Sequence, residues 1–349
     1  MNNSIKLVCP NCKAHLTLAD ENKYNCNQCE CTWPIIESIP HFIDTDVFWG
    51  EPGFTREILQ KINEDMRHKN WNDILSNHQS PLIREQYSFI SDMERAKWQR
   101  LIDLPRDSIV LDIGAGMGTI SQALSKQNGL VYAIEPVKER TDFMRLRFKQ
   151  ESCNNIKIIR SDIDHIPFSE NSFNLIVLNG VVEWLPFSRK EENPRKAQLY
   201  YLQLLRSLLK QDGYIYIGIE NRHCYGLFIG EPDPHIHIPV KYVTILPRFI
   251  SHIICKYKIG DIYRPYLYSH LGYKRLLKDA GFQDIEIYSS LPSYNKPQNI
   301  ISLKNNSNDF AHLIWNSKRK VSKFAKYILL KLNLLKYMGY AYIIFAKKG

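Results

Sequence analysis

IVLDIGAGMG, residues 109–118, is the stretch whose reading decides the fold. The apolar run 109–111 predicts a strand that ends in the acid Asp112. Gly114, Gly116 and Gly118 follow in a turn, and residues 119–127 read as helix. A glycine turn between strand and helix lets the backbone approach a ligand without Cβ atoms in the way. Further strands are predicted outward from it. Residues 130–134 end at Glu135, and 156–160 lead into Ser161-Asp162-Ile163. Residues 173–178 lead into Asn179-Gly180-Val181-Val182-Glu183, a helix is predicted around 195–210, and a fifth strand spans 214–220. An acid at the end of the second strand suits a pair of ribose hydroxyls. An acid after the third suits an adenine amino group.

The remainder of the 349 residues bounds the answer. Charged residues are 23% and hydrophobic ones 44%, which excludes a chain disordered throughout. No uncharged apolar run reaches the ~18 residues of a membrane-spanning helix, and the start carries no secretory pattern. The net charge of +10 is local. Residues 301–349 hold 10 Lys and Arg against 1 acid (+9), leaving 36 basic and 35 acidic residues (+1) elsewhere. Five of the 8 cysteines fall within the first 31 residues. Cys9/Cys12 and Cys26/Cys29 form two C-x2-C knuckles, the spacing of a four-thiolate, structural Zn²⁺ site in a reducing cytoplasm. Cys31 is an extra thiol beside the second knuckle.

Two resemblances follow. The knuckles with WPIIESIPHF (33–42) resemble the Trm112-like zinc ribbon that precedes many bacterial methyltransferases, with Glu37-Ser38 replacing the usual acidic-Gly pair. A glycine turn alone does not separate dinucleotide enzymes from methyltransferases. However, DIGAGMG (112–118), AIEP (133–136), SDI (161–163), FNLIVLNGVVEWL (173–185) and DGYIYIGIEN (212–221) in register resemble a class I S-adenosylmethionine-dependent methyltransferase. That resemblance implies an α/β, Rossmann-like sheet of seven strands. Residues 282–288 and 340–347 would supply its last two, the final one antiparallel. It implies that Gly114, Gly116 and Gly118 wrap the methionine and ribose, that Glu135 takes the ribose hydroxyls, and that Asp162 and Ile163 take the adenine. Asp112 and Asn179 would complete the cofactor set. The domains expected are a ribbon (1–45), a helical linker (46–105) and a methyltransferase domain (106–349) with insertions at about 221–270 and 292–338. Tyr87 and Trp98 of the linker are aromatic candidates for the cofactor pocket.

The acceptor is expected at the first insertion, which follows the fifth strand on the edge where open α/β sheets bind ligands. Glu220, Asn221, Tyr225, Glu231 and Asp233 are candidate substrate contacts. Glu183, His235 and His237 are candidate catalytic groups, since O-methylation requires a proton to leave a hydroxyl as the methyl arrives. Glu231, Asp233, His235 and His237 also have the chemistry of metal ligands. The segments ENR…GLFIGEPDPH, LPRFI and LPSYNKPQNIISL resemble methyltransferases of bacterial surface-polysaccharide gene sets, which implies a sugar, glycan or glycolipid acceptor. RNA is the alternative acceptor, because zinc ribbons also precede large-subunit rRNA guanine methyltransferases, and an inert scaffold is the third reading. Residues 318–337 predict a basic amphipathic helix with Val321, Phe324, Ile328, Leu332 and Leu335 on one face. Such a helix fits an anionic membrane surface, RNA or the protein's own core.

Overall fold

The structure is a computed structural model, and it describes residues 5–233, 235, 240–311 and 320–349. The chain divides into two compact units: residues 1–177 with 207–214, and residues 178–206 with 215–349.

The first unit begins with four short strands, β1 (Leu16–Asp20), β2 (Lys23–Cys26), β3 (Thr32–Ile36) and β4 (Ile39–Pro40), joined antiparallel in that order. The spacer between the two Cys pairs is the β1–β2 hairpin. Glu37 and Ser38 turn β3 into β4 at φ of 48° and 67°, so this turn adopts the glycine-favouring conformation without glycine. Helices α1 (Arg56–Asp65), α2 (Trp71–Ser76) and α3 (Pro81–Ile90) follow, the first two capped by Thr55 and Asn70 side chains. The last part of the expected helical linker forms a 3-10 helix, Met93–Leu101. Its Ala96 and Trp98 are fully buried, whereas Leu101 is exposed.

Next come β5 (Ile109–Ile113), α4 (Thr119–Ser125), β6 (Leu130–Glu135), α5 (Lys138–Gln150) and β7 (Ile156–Arg160). β5–β6 and β6–β7 pair in parallel. The buried strand residues 109–113 show no alternation, as expected for a parallel strand covered on both faces. With the parts of β8 (Phe173–Asn179) and β9 (Leu209–Glu220) that belong to this unit, the order is β9-β8-β5-β6-β7. Helices α1–α3 pack on α5 through Leu59, Trp71, Ile83, Phe143 and Leu146. Arg147 is buried and stacks over Trp71 at 4.2 Å, while donating to Gln122 Oε1 (2.8 Å) and to the Met117 carbonyl (3.0 Å). It thereby ties α2, α4 and α5 to the glycine turn.

The ribbon covers the free edge of β7. His41 bridges in parallel to Arg160, and Phe42 N donates to the Arg160 carbonyl at 2.9 Å. The Arg160 guanidinium reaches back to the carbonyls of Ile43 and Thr45.

The second unit contains α6 (Pro194–Leu208), the ends of β8 and β9, α7 (Tyr225–Phe228), α8 (Arg248–Ile259), α9 (His270–Asp279), β10 (Phe282–Ser293), β11 (Lys296–Ser302), α10 (Lys320–Lys331) and β12 (Ala341–Lys348). Its strand order is β11-β10-β12-β9-β8, with β10 antiparallel to both β11 and β12. The strand beyond the seven expected is β11, which folds back on β10 from within the expected second insertion. Helix α10 ends at Lys331, before the predicted 337. Phe324, Ile328 and Leu332 of its predicted apolar face are exposed, while Leu335, beyond its end, is buried. No helix among the described residues is long and apolar enough to cross a membrane.

One consequence concerns acid. Burial, aided by the Arg160 and Lys138 charges, pushes His41 down to about 4 from an ordinary 6.5. A depressed histidine stabilises the fold above its unfolded value and loses that contribution as the pH falls. We expect urea stability to drop between pH 6.5 and 5, with a shallower slope in His41→Gln. Parallel slopes in both proteins would refute this role.

Candidate functional site

In the first unit the glycine turn is left-handed at all three glycines, with φ of 70°, 58° and 80° at Gly114, Gly116 and Gly118. Two of them are constrained differently. A Cβ on Gly118 would meet Phe148 at 2.5 Å and Met144 at 2.9 Å, so packing forbids it. A Cβ on Gly116 would meet nothing within 4 Å, so that side of the turn faces open space. Glu135, at the end of β6, is buried and reaches the turn. One carboxylate oxygen accepts from Gly116 N (3.0 Å), the other from Val137 N (3.1 Å), and Arg140 stands 3.7 Å away. Burial raises its carboxyl above the usual range despite these partners. Asp112 is buried and accepts from Ser121 Oγ at 2.6 Å, and burial pushes it up to about 6.

Asp162 closes the turn after β7, accepting from His165 Nδ1 at 2.6 Å and from the backbone N–H groups of residues 164 and 165. Ile163 is buried beside it in sequence. Trp98 is fully buried, and Tyr87 is partly buried and packs with the α1–α3 cluster.

The four knuckle thiols converge. Cys9 and Cys29 Sγ are 3.5 Å apart, Cys12 and Cys26 Sγ 3.3 Å, and all four lie within 4.8 Å of one another. A tetrahedral Zn²⁺ with bonds of about 2.3 Å sets sulfurs about 3.8 Å apart, so the set fits that ion. Cys31 accepts from Asn11 Nδ2 at 3.3 Å and stands outside the set.

In the second unit three elements bring acids to one place. Glu183 follows β8, Glu220 ends β9, and Asp233 and His235 lie on the loop after α7. His235 Nδ1 contacts Asp233 Oδ1 at 2.8 Å. His235 Nε2 stands 3.8 Å from Glu183 Oε1 and 3.5 Å from Glu220 Oε2. Asp233 also accepts from Thr244 Oγ1 and Tyr263 OH, both at 2.6 Å. Trp184 packs edge-on against the imidazole at 5.3 Å. Burial pushes Glu183 up to about 7. Burial opposes charge on His235, yet the Asp233, Glu183 and Glu220 carboxylates outweigh it and raise the ring to about 12. His237 lies outside the described residues.

A cavity of about 440 Å³ opens beside this group, lined among others by Glu220, Glu231, Asp233, Thr244, Tyr294 and Asn295. None of its described lining residues is Lys or Arg. Asn221 also lines it, but its amide donates to the Tyr337 and Gly339 carbonyls and so holds the chain before β12. Tyr225 lies outside that lining and opens α7 under the Lys326 ammonium, 5.0 Å from its ring. Glu231 accepts from Tyr340 OH at 3.3 Å. Asn179 accepts from Tyr216 OH and donates to Asn295 Oδ1 at 2.8 Å. Tyr294, Asn295 and Thr244 were not predicted as site residues, and Tyr263, an expected aromatic platform of the insertion, instead donates its hydroxyl to Asp233. The Tyr-Asn pair lies in LPSYNKP, where the turn residues Pro, Ser and Asn mark the β10–β11 hairpin.

Residues 110–213 match a family described as a methyltransferase domain. The chain is 33% identical over 146 residues to the tRNA (guanine-N(7)-)-methyltransferase of Malacoplasma penetrans, covering 40% of this chain and 64% of that one. It is 39% identical over 97 residues to a protein of Thermococcus onnurineus named "Probable ribosomal RNA small subunit methyltransferase A", covering 28% and 34%. The chain therefore spans less than two thirds of either relative. An S-adenosylmethionine-dependent methyltransferase structure from Aquifex aeolicus aligns over 80% of this chain and 98% of its own with a TM-score of 0.42 and 14% identity. The chain thus carries a methyltransferase domain on an α/β, Rossmann-like sheet.

Purified protein should contain about one zinc per chain, as one four-thiolate site predicts, and Cys9→Ser/Cys12→Ser should lose it. Undiminished zinc in that variant, measured by atomic emission, would refute the ligand set.

Proposed function

We propose that the chain transfers the methyl group of S-adenosylmethionine to a hydroxyl of a small acceptor, a sugar or glycan-type molecule. The observation that carries the cofactor assignment is the paired state of the turn: Gly116 faces open space while Glu135 is buried against its N–H. A ligand entering that space finds backbone at van der Waals distance and a carboxylate able to accept two ribose hydroxyls. Gly114, Gly116 and Gly118 would wrap the methionine and ribose. Asp162 and Ile163 would hold the adenine, with Asp112 and Asn179 placing the amino-acid end. Zn²⁺ on Cys9, Cys12, Cys26 and Cys29 would be structural, because four protein ligands leave no open position.

On the acceptor side, the carboxylate-lined cavity supports a neutral polyol over a polyanion. RNA, the acceptor class named for the relatives, would bring phosphates to Glu220, Glu231 and Asp233, where no described Lys or Arg compensates. The reaction breaks the sulfonium S–CH₃ bond and forms an O–CH₃ bond, leaving a thioether and a proton. The Glu183–Glu220–His235 group is where that hydroxyl would be oriented and its proton released.

A second reading concerns place. Phe324 and Ile328 are exposed on α10, with Leu332 exposed just past its end and Lys323 and Lys331 on the same helix. That pattern suits peripheral contact with an anionic inner membrane surface from the cytoplasm. Flotation with vesicles containing phosphatidylglycerol should retain the wild-type chain, and Phe324→Ser/Ile328→Ser should release it. Equal recovery of both would exclude the contact.

The cofactor reading is tested by calorimetric titration with S-adenosylhomocysteine, with NAD⁺ as control. Binding of the first alone is expected. Gly116→Arg should weaken it at least 100-fold, since it fills the open side of a turn that needs positive φ. Unchanged affinity in that variant would overturn the pocket assignment.

A further inference from the structure

We infer that Glu183, Glu220 and His235 form a binding site for a divalent cation, with its open coordination positions toward the carboxylate-lined cavity. Three independent features support this. The first is ligand geometry. One atom from each residue lies within 4.8 Å of the others, and the His235 Nε2 distances are 3.8 Å to Glu183 and 3.5 Å to Glu220. Metal–ligand bonds of about 2.0–2.2 Å place neighbouring ligand atoms about 3 to 4 Å apart.

The second is Glu183 itself. It is 0% exposed, and the one group that faces its carboxylate among the described residues, His235 Nε2, stands 3.8 Å away, too far for a good hydrogen bond; Glu220 Oε2 has the same neighbour at 3.5 Å. A buried carboxylate without donors is costly, and a cation is what such a group accommodates. A single imidazole faces three carboxylates here, those of Glu183, Glu220 and Asp233.

The third is the support behind the imidazole. Asp233 engages Nδ1 at 2.8 Å and is itself fixed by the Thr244 and Tyr263 hydroxyls. A carboxylate on the far nitrogen fixes the ring and points Nε2 at Glu183 and Glu220, so an arriving cation takes the place of the Nε2 proton, the arrangement that supports metal-bound histidines. The mixed carboxylate–imidazole set suits a first-row ion such as Mn²⁺ over a soft one. Three protein ligands leave positions for two oxygens of a polyol, and the ion would acidify the hydroxyl it holds.

The cation's role rests on the proposed methyl transfer, but its binding does not. The test is a Mn²⁺ titration of the full, zinc-loaded chain, followed by the electron paramagnetic resonance of free Mn²⁺. About one Mn²⁺ per chain should leave solution, and Glu183→Gln should weaken binding at least ten-fold while circular dichroism reports an unchanged fold. Should Glu183→Gln fail to fold, Glu220→Gln, at the cavity rim, should give the same weakening. A wild-type chain that binds S-adenosylhomocysteine but leaves Mn²⁺ free overturns the inference and spares the methyltransferase reading. Uptake of Mn²⁺ without S-adenosylhomocysteine binding overturns that reading alone. A folded variant that holds Mn²⁺ as well as the wild type overturns the site.

Discussion

Buried carboxylates, most of them at or just beyond the C-terminal ends of strands, constrain both units. Desolvating a charged oxygen is unfavourable unless donors or cations meet it, so each acid dictates what surrounds it. Glu135 recruits the N–H groups of Gly116 and Val137, and that link fixes the glycine turn against β6. Asp112 recruits Ser121 from α4. In the second unit Asp233 recruits Thr244, Tyr263 and His235, and so organises the loop after α7. Glu183 is the exception, buried without donors among the described residues, and it is there that a ligand is called for.

The two units use their acids differently. In the first, the carboxylates accept mostly from backbone, which makes a rigid cradle whose shape depends on glycine conformation. In the second, they gather around one imidazole beside an open cavity. A cradle built from main chain suits a methyl donor that is the same molecule in every turnover, whatever the acceptor. A cavity built from side chains on a long insertion suits an acceptor that varies between related enzymes.

Much of this was legible in the sequence, for physical reasons that differ by element. The strands over 156–160 and 173–178 are short apolar runs bounded by polar turns, and the structure places them at Ile156–Arg160 and Phe173–Asn179. The knuckles are legible because thiol spacing is local. Glu183 and Glu220 could be singled out by their position at strand ends, but their meeting with His235 depends on a fold-back that no local pattern encodes. β11 was hidden because its residues 296–302 alternate poorly and their partner, β10, is identified only once the hairpin closes. A helix over the α10 stripe was legible, but periodicity does not say which face meets solvent: Phe324 and Ile328 are exposed, and Leu329 and Leu330 pack on Leu291, Phe310 and Leu335.

The ribbon's place on β7 has a further consequence. A parallel sheet that ends in an open strand presents a row of unpaired amides and carbonyls, a template for another chain. Here residues 41 and 42 and the Arg160 fork occupy that row. On the proposed zinc reading, so small a ribbon would lose its shape with the metal. The edge of β7 would then lie open to pairing with another chain, while the glycine turn, held by Glu135 and Arg147, would keep its contacts.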